Sequence, residues 1–273
     1  MGFFATSGIL NKRGFFGEGF DPDALDYINR VETADGQRLE SRVRTAINQF
    51  VLGCKADGIW ALLVTSCIMA GARTVAGAIT PLVGNAPTNI SFTADDYSRT
   101  LGLKGNNTNK YLATGYNNND TTNFPQNNTH ISCFVSASQT NANGVLVGGT
   151  NTIGARLSIH YTTSNNILCR NRASLQSTVS LAPIGFQGHS RGNSSSFNRR
   201  FTTIAGISDA TVTATSLAPT SDLLGVFATG SGLPLNQLSS ARISFYSIGK
   251  SLSIPSLDTR VTTLINAIAS ALA

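Results

Sequence analysis

Acidic side chains are scarce in this sequence. Asp and Glu number 14 against 20 Lys and Arg in 273 residues, and only 12% of positions are charged. A glycosidase needs two carboxylates about 5–10 Å apart across a cleft. After residue 64 the acids are Asp95, Asp96, Asp120, Asp209, Asp222 and Asp258, and no Glu-x-Asp-x-Glu strand holds them. The expectation is therefore no enzyme. Histidine is rarer still, with three. The four cysteines, Cys54, Cys67, Cys133 and Cys169, include no Cys-x-x-Cys, and they read as showing no metal-ligand spacing. They read as buried thiols of a reducing cytosol, with a Cys54–Cys67 pair left open. The formal charge of +6 comes from scattered basic residues, and no Lys/Arg run interleaves with aromatics. That excludes a nucleic-acid footprint and reads as a solvated basic face. The longest apolar stretch, Ile59–Ala72, has 14 residues and contains Thr65 and Ser66, too short to span a bilayer. Met1–Leu10 lacks the basic n-region of a signal peptide.

What the chain does have is Gly, Ser, Thr and Asn, set between short apolar runs. Gly102–Gly115 shows the grammar: Leu101 and Leu103, then Gly105, Asn106 and Asn107, then Tyr111 and Leu112. It reads as a strand, a tight polar turn and a second strand. Runs of this kind recur from Ser66 to Ser247, clearest in Arg156–Tyr161, where Leu157, Ile159 and Tyr161 share a face. About a dozen such strands suit a two-sheet sandwich. Helical period appears at both ends. Asp21-Pro22 opens a first helix that Asp35-Gly36 breaks. A second runs from about Gln37 to Cys54, with Glu40 four residues before Arg44. Ala56–Val64 reads as a short third, and Ile254–Leu272 as a terminal helix packed back on the fold. The division is residues 1–20 as an arm, 21–64 as a helical segment, and 65–273 as the sandwich with its terminal helix. The arm sets Phe3, Phe4, Phe15, Phe16 and Phe20 among glycines, more apolar area than solvent tolerates. It either folds back on its own domain or docks into another subunit.

Four spaced segments carry a resemblance: Asp57-Gly58-Ile59-Trp60; Gly102-Leu103-Lys104-Gly105-Asn106 before Lys110-Tyr111-Leu112; His130-Ile131-Ser132-Cys133-Phe134; and Phe245-Tyr246-Ser247-Ile248-Gly249 before the terminal helix. Over about residues 22–270 the chain resembles the laminin-G-like, concanavalin-type jelly rolls of tailed-phage virion proteins. The resemblance implies a mainly β, two-sheet antiparallel jelly roll in a virion protein made in the bacterial cytoplasm. It is a tail-fibre or receptor-binding component on one reading, a capsid decoration protein on another, and a carbohydrate-active enzyme on a third. The implied partners are other virion proteins through residues 1–20, further copies of the chain as a homotrimer, and a host surface glycan, with no nucleic acid and no membrane insertion. Related sandwiches hold calcium through hard oxygens, for which Asp95, Asp96 and Asp120 are the candidates; otherwise no cofactor is expected. A glycan platform would draw on Tyr97, Tyr116, Asn117, Asn118 and His130. Gly188-His189-Ser190-Arg191-Gly192 matches a nucleophile elbow, but no helix-forming run and no later histidine follow it, so that reading is rejected.

Overall fold

The computed structural model describes residues 19–139, 144–149, 156–162, 166–174, 177–180, 183–228 and 237–273. Helix α1 (Pro22–Asp35) starts where the Asp21 carboxylate accepts from the Asp23 N–H, and it ends at Gly36, whose φ of 65° only glycine adopts freely. Helix α2 (Ser41–Ala56) buries Val43, Ile47, Phe50, Val51 and Cys54. The third helix expected over Ala56–Val64 does not form. Gly58 turns the chain at φ 70°, a single 3-10 turn spans Trp60–Leu62, and Leu63 already opens β1 (Leu63–Ile68). A one-turn helix, α3 (Val75–Ala78), is capped by Thr74.

The remaining strands are short, as the turn-rich sequence implies. They are β2 (Pro81–Val83), β3 (Thr88–Ile90), β4 (Tyr97–Ser98), β5 (Gly102–Lys104), β6 (Tyr111–Asn117), β7 (Thr129–Ala137), β8 (Gly144–Gly149) and β9 (Leu157–Tyr161). Then come β10 (Asn166–Asn171), β11 (Ser177–Ser180), β12 (Pro183–Arg191), β13 (Ser196–Thr203), β14 (Gly206–Thr213), β15 (Leu223–Val226) and β16 (Arg242–Gly249), followed by α4 (Ile254–Leu272). They form two antiparallel sheets. One runs β14-β13-β12-β7-β16-β1-β2, with β5 pairing β16 and β4 pairing β5; the other runs β11-β10-β9-β8-β15-β6-β3. The chain is a mainly β sandwich with helices at both ends of the sequence.

The stretch Gly102–Gly115 is not a paired hairpin. β5 lies in the nine-stranded sheet against β16, with Leu103 opposite Ile243, whereas β6 lies in the seven-stranded sheet between β15 and β3. Residues 105–110 carry the chain from one sheet to the other. Asn107 takes φ 59° there, and the Asn106 side-chain oxygen accepts from the N–H groups of Thr108, Asn109 and Lys110 at 3.0, 3.0 and 3.1 Å.

Two apolar clusters make three layers. Ile131, Cys133, Val135, Ile243, Tyr246 and Ile248 of the nine-stranded sheet meet Leu146, Val147, Leu157, Ile159 and Ile167 of the other sheet. On its opposite face Phe186 and Phe245 pack under α1, α2 and α4. β7 and β16 are therefore covered on both faces, which is why neither shows a clean apolar-polar alternation. Arg200 ties β13 to α4 through Asp258 at 2.6 Å. Glu40 does not pair with Arg44; it lies against Arg99 at 2.6 Å and Arg73 at 2.9 Å, bonding the helical layer to the loops beside it. All four cysteines are buried free thiols, and burial pushes those of Cys54, Cys67 and Cys169 up to about 12. No helix of the described residues is long and apolar enough to cross a membrane.

Candidate functional site

The structure does not gather the residues singled out for glycan contact. Tyr97 sits on β4, half-buried, its hydroxyl donating to Ala72 O at 2.8 Å. Tyr116 and Asn117 lie on β6 in the other sheet, and the Tyr116 ring stands edge-on to Phe124 at 5.6 Å. Asn118 and His130 have no exposed surface, so neither presents a side chain to a ligand at the surface. The His130 ring lies under the helical layer, Nδ1–H donating to Lys250 O at 2.6 Å and Nε2 3.0 Å from Ser247 Oγ. The oxygen ligands considered for calcium are occupied or apart. Asp96 binds Lys110 and the N–H of Thr93, Asp120 caps the turn at Thr122 and Asn123, and Asp95 stands exposed. Among the described residues no three His, Cys, Asp or Glu side chains come together as a metal site would need. Of the arm residues, Phe3, Phe4, Phe15 and Phe16 lie outside the described residues. Phe20 packs against the helical core with the Arg44 guanidinium 5.5 Å from its ring centre.

The rejected elbow is part of a straight strand, β12. Ser190 Oγ accepts from Leu252 N at 3.0 Å on the helix side. His189 points to the other side, Nε2–H donating to Ser158 O at 3.1 Å while Nδ1 accepts from Asn171 Nδ2 at 3.1 Å. Adjacent residues on opposite faces cannot relay a proton.

What the structure does gather is arginine. Leu157 and Ile159 of β9, with Ile167 and Cys169 of β10, point into the core between the sheets, so the alternation puts Ser158, His160 and Arg170 on the outer face. The ladder sets Arg170 opposite Ser158 and Leu168 opposite His160. One step further the backbone N–H of Arg172 donates to Arg156 O at 2.7 Å. Arg170 and Ser158 continue across the sheet into Gly148, Gly225 and Ala113, positions with little or no side chain. Arg172 is fully buried at a φ of 51°. Its Nη2 donates to Asn118 O at 2.7 Å, and its Nε and Nη1 meet no acceptor. Arg191 nearby is also fully buried, but it is satisfied by three carbonyls, Asn171 O, Asn193 O and Ala214 O, at 2.8, 3.1 and 3.0 Å.

The electrostatics of this group are one-sided. Burial lowers Arg170, and the neighbouring Arg156 lowers it further. Burial and then the Arg191 charge bring Arg172 down to about 10. His160 falls to about 3, through burial first and then the charges of Arg156 and Arg170, and so stays neutral. Asp222 is the acid that counters Arg156, and its carboxylate already accepts from Thr220 Oγ1. No ion pair joins Arg156, Arg172 or Arg191 to a carboxylate among the described residues; the ion pairs involve Arg30, Arg44, Arg73, Arg99, Arg200, Arg260, Lys55 and Lys110 instead. The expectation of a solvated basic face therefore fails at Arg172 and Arg191. The cluster offers hydrogen-bond donors and positive potential; within it Ser158 Oγ lies 2.6 Å from His160 Nε2, a pair that is buried rather than presented at the surface. It was half-visible in the sequence: the alternation that faces Leu157 and Ile159 inward leaves Arg156, Ser158 and His160 on the opposite side.

No family model and no curated protein matches the chain. Some solved structures are similar to it at low identity and low TM-score. A tailspike protein of the Escherichia coli O157:H7 bacteriophage CAB120 is 12% identical at TM-score 0.41, covering 66% of this chain and 26% of its own. The sialidase of Trypanosoma rangeli is 11% identical at TM-score 0.40, covering 76% and 33%. Domains LG4-5 of the mouse laminin α1 chain are 14% identical at TM-score 0.33, covering 62% and 43%. The fold assignment stands on the strand pairing itself.

Proposed function

We propose that the chain is a non-enzymatic structural protein of a phage virion, displaying its sandwich as a tail-fibre or adhesion component that binds a host surface glycan. The observation that supports it is the outer face of the seven-stranded sheet, where the half-buried Arg156 and Arg170 meet beside the buried His160 and residues of small side chain. Donors gathered on a sheet face, with the Ser158–His160 pair buried among them, suit holding a saccharide rather than cutting one. Residues 1–20 anchor the protein to its particle in this reading, and a trimer places several such faces together. A second reading, capsid decoration, is favoured by a groove of about 600 Å³ between α2 and α4, lined by Arg42, Thr45, Gln49, Phe50, Leu264 and Ala267. A neighbouring subunit would fill it.

The test is a screen of the purified protein on host-surface polysaccharides. Binding without release of reducing sugar is the expected result. Release makes the protein an enzyme, and no binding together with stabilised capsids makes it a decoration protein; either overturns the proposal.

A further inference from the structure

We infer that β14 is an interface: it pairs antiparallel with β14 of a second copy of the chain across a two-fold axis, joining two nine-stranded sheets edge to edge. This surface is separate from the arginine face, and the inference stands apart from the glycan reading.

Edge strands expose unpaired backbone donors and acceptors, and proteins ordinarily blunt them with short length, proline, lysine or a bulge. The other edges here are blunted. Among the described residues β2, β3, β4 and β11 have three, three, two and four residues, and β2 carries Pro81. β14 has eight, with neither proline nor lysine, and its register against β13 runs unbroken from Ser196–Thr213 to Thr203–Gly206. Its one charge, Asp209, is held by Arg200 at 2.6 Å. The edge is long, regular and close to neutral.

The ladder decides which backbone groups are left over. Ala214 N–H donates to Ser195 O at 2.8 Å, and in an antiparallel ladder bonded and non-bonded pairs alternate. Ser208, Ala210 and Val212 therefore turn their N–H and C=O groups to β13, whereas those of Ile207, Asp209, Thr211 and Thr213 turn away from it. The two-residue turn Ile204–Ala205 sets the same phase, since a bonded Thr203–Gly206 pair closes it. Among the described residues no strand takes the outward groups.

A second copy fits them. Set antiparallel about Ala210, Ile207 meets the second copy's Thr213 and Asp209 meets its Thr211, so every outward residue is paired and the two acids do not face each other. The same two-fold brings the Ile204–Ile207 end of each strand to the Thr213–Leu217 end of the other. Ile204 and Ile207 are the most exposed large apolar side chains of the described residues, at 70% and 56%, and Leu217 is exposed as well. Apolar surface at both ends with bare backbone between them is what a self-complementary strand pairing covers. A strand of an unrelated protein would require no such match of β14 with itself.

Sedimentation equilibrium of the full-length protein over a dilution series, together with amide hydrogen exchange, tests the pairing. The expected result is reversible association by a factor of two in mass, with the amides of Ile207, Asp209, Thr211 and Thr213 protected in the associated form. Ile207→Lys places a charge on the edge without emptying a buried site, and should weaken the association at least about tenfold. Thr211→Pro removes an outward donor and should do the same. Should Thr211→Pro unfold the hairpin, Ile207→Lys decides alone. Leu52→Lys makes the matching change on α2, at a side chain 40% exposed, and should leave the association unaltered. A trimer built through another surface does not blur the reading, because with this contact it becomes a hexamer that Ile207→Lys returns to a trimer. A mass that Ile207→Lys leaves unchanged, or outward amides that exchange rapidly in the associated form, overturns the inference. Protection of those amides in a monomer overturns it too, since a strand of the same chain would then cover the edge. Glycan binding is untouched by any of these outcomes.

Discussion

Gly102 enters β5 at a φ of 85°, and a Cβ placed on it would lie 2.2 Å from the carbonyl oxygen of Ile243. Backbone of β16 fills that space, so the contact cannot be relieved by turning a side chain aside. Gly105 three residues on is closer still, 1.9 Å from Ser239 O. Gly115 is a useful contrast, since it has a similar φ of 78° with open space around it. Gly115→Ala meets only the left-handed backbone penalty, about 1 kcal/mol. Gly102→Ala meets that penalty and the clash together, and should cost at least about 2–3 kcal/mol. Urea unfolding of the two variants separates the terms. Equal midpoints would show that the strand pairing at β5 yields more easily than the Ile243 contact implies.

At the scale of elements, the helical layer is part of the fold's own core. Leu257, Val261, Leu264 and Ile268 of α4 are buried together with Val43, Ile47 and Phe50 of α2 and with Phe245 of β16. Leu257→Ala should therefore destabilise the whole domain by about 2–5 kcal/mol, in one cooperative transition by circular dichroism. Separate melting of helix and strand signals would show instead that the helices are an appendage. These helices were legible because their marks are local: Asp21-Pro22 at one start, Gly36 at one stop, and an apolar stripe along α4. The strands were legible from alternation and turn residues. Their partners were not, since Gly102–Gly115 looks like a hairpin until β16 and β15 are seen to claim its two halves. Ala56–Val64 misled because Gly58 ends helical geometry whatever the apolar spacing beyond it. The arginine site was hidden for a related reason: charge in a sequence reads as exposure, whereas the burial of Arg172 follows from Asn118 and Arg156, far apart in the chain.

The whole molecule encloses all three of its histidines in neutral form, and this gives it a definite acid response. Burial lowers His130 to about 4 and both His160 and His189 to about 3, from an ordinary 6.5. The bonding agrees: each ring of His130 and His189 donates once to a carbonyl and accepts once, so a second proton would set the His189 Nδ1–H against the Asn171 Nδ2 donor. Folded pKa values below the unfolded value mean that protons favour the unfolded chain. Stability is complete above about pH 6.5 and falls as pH drops through the window down to about 4 for His130 and about 3 for the other two. By about pH 5 each histidine has withdrawn about 2 kcal/mol. The carboxylates lowered by ion pairs, Glu40 beside Arg99 and Asp57 beside Arg260, withdraw theirs only nearer pH 4, so the two causes separate on the pH axis. Unfolding free energy measured from about pH 7.5 to 5 should drop by several kcal/mol, and His189→Gln should flatten part of the slope. A profile level down to about pH 5 would mean that these histidines are not enclosed in neutral form.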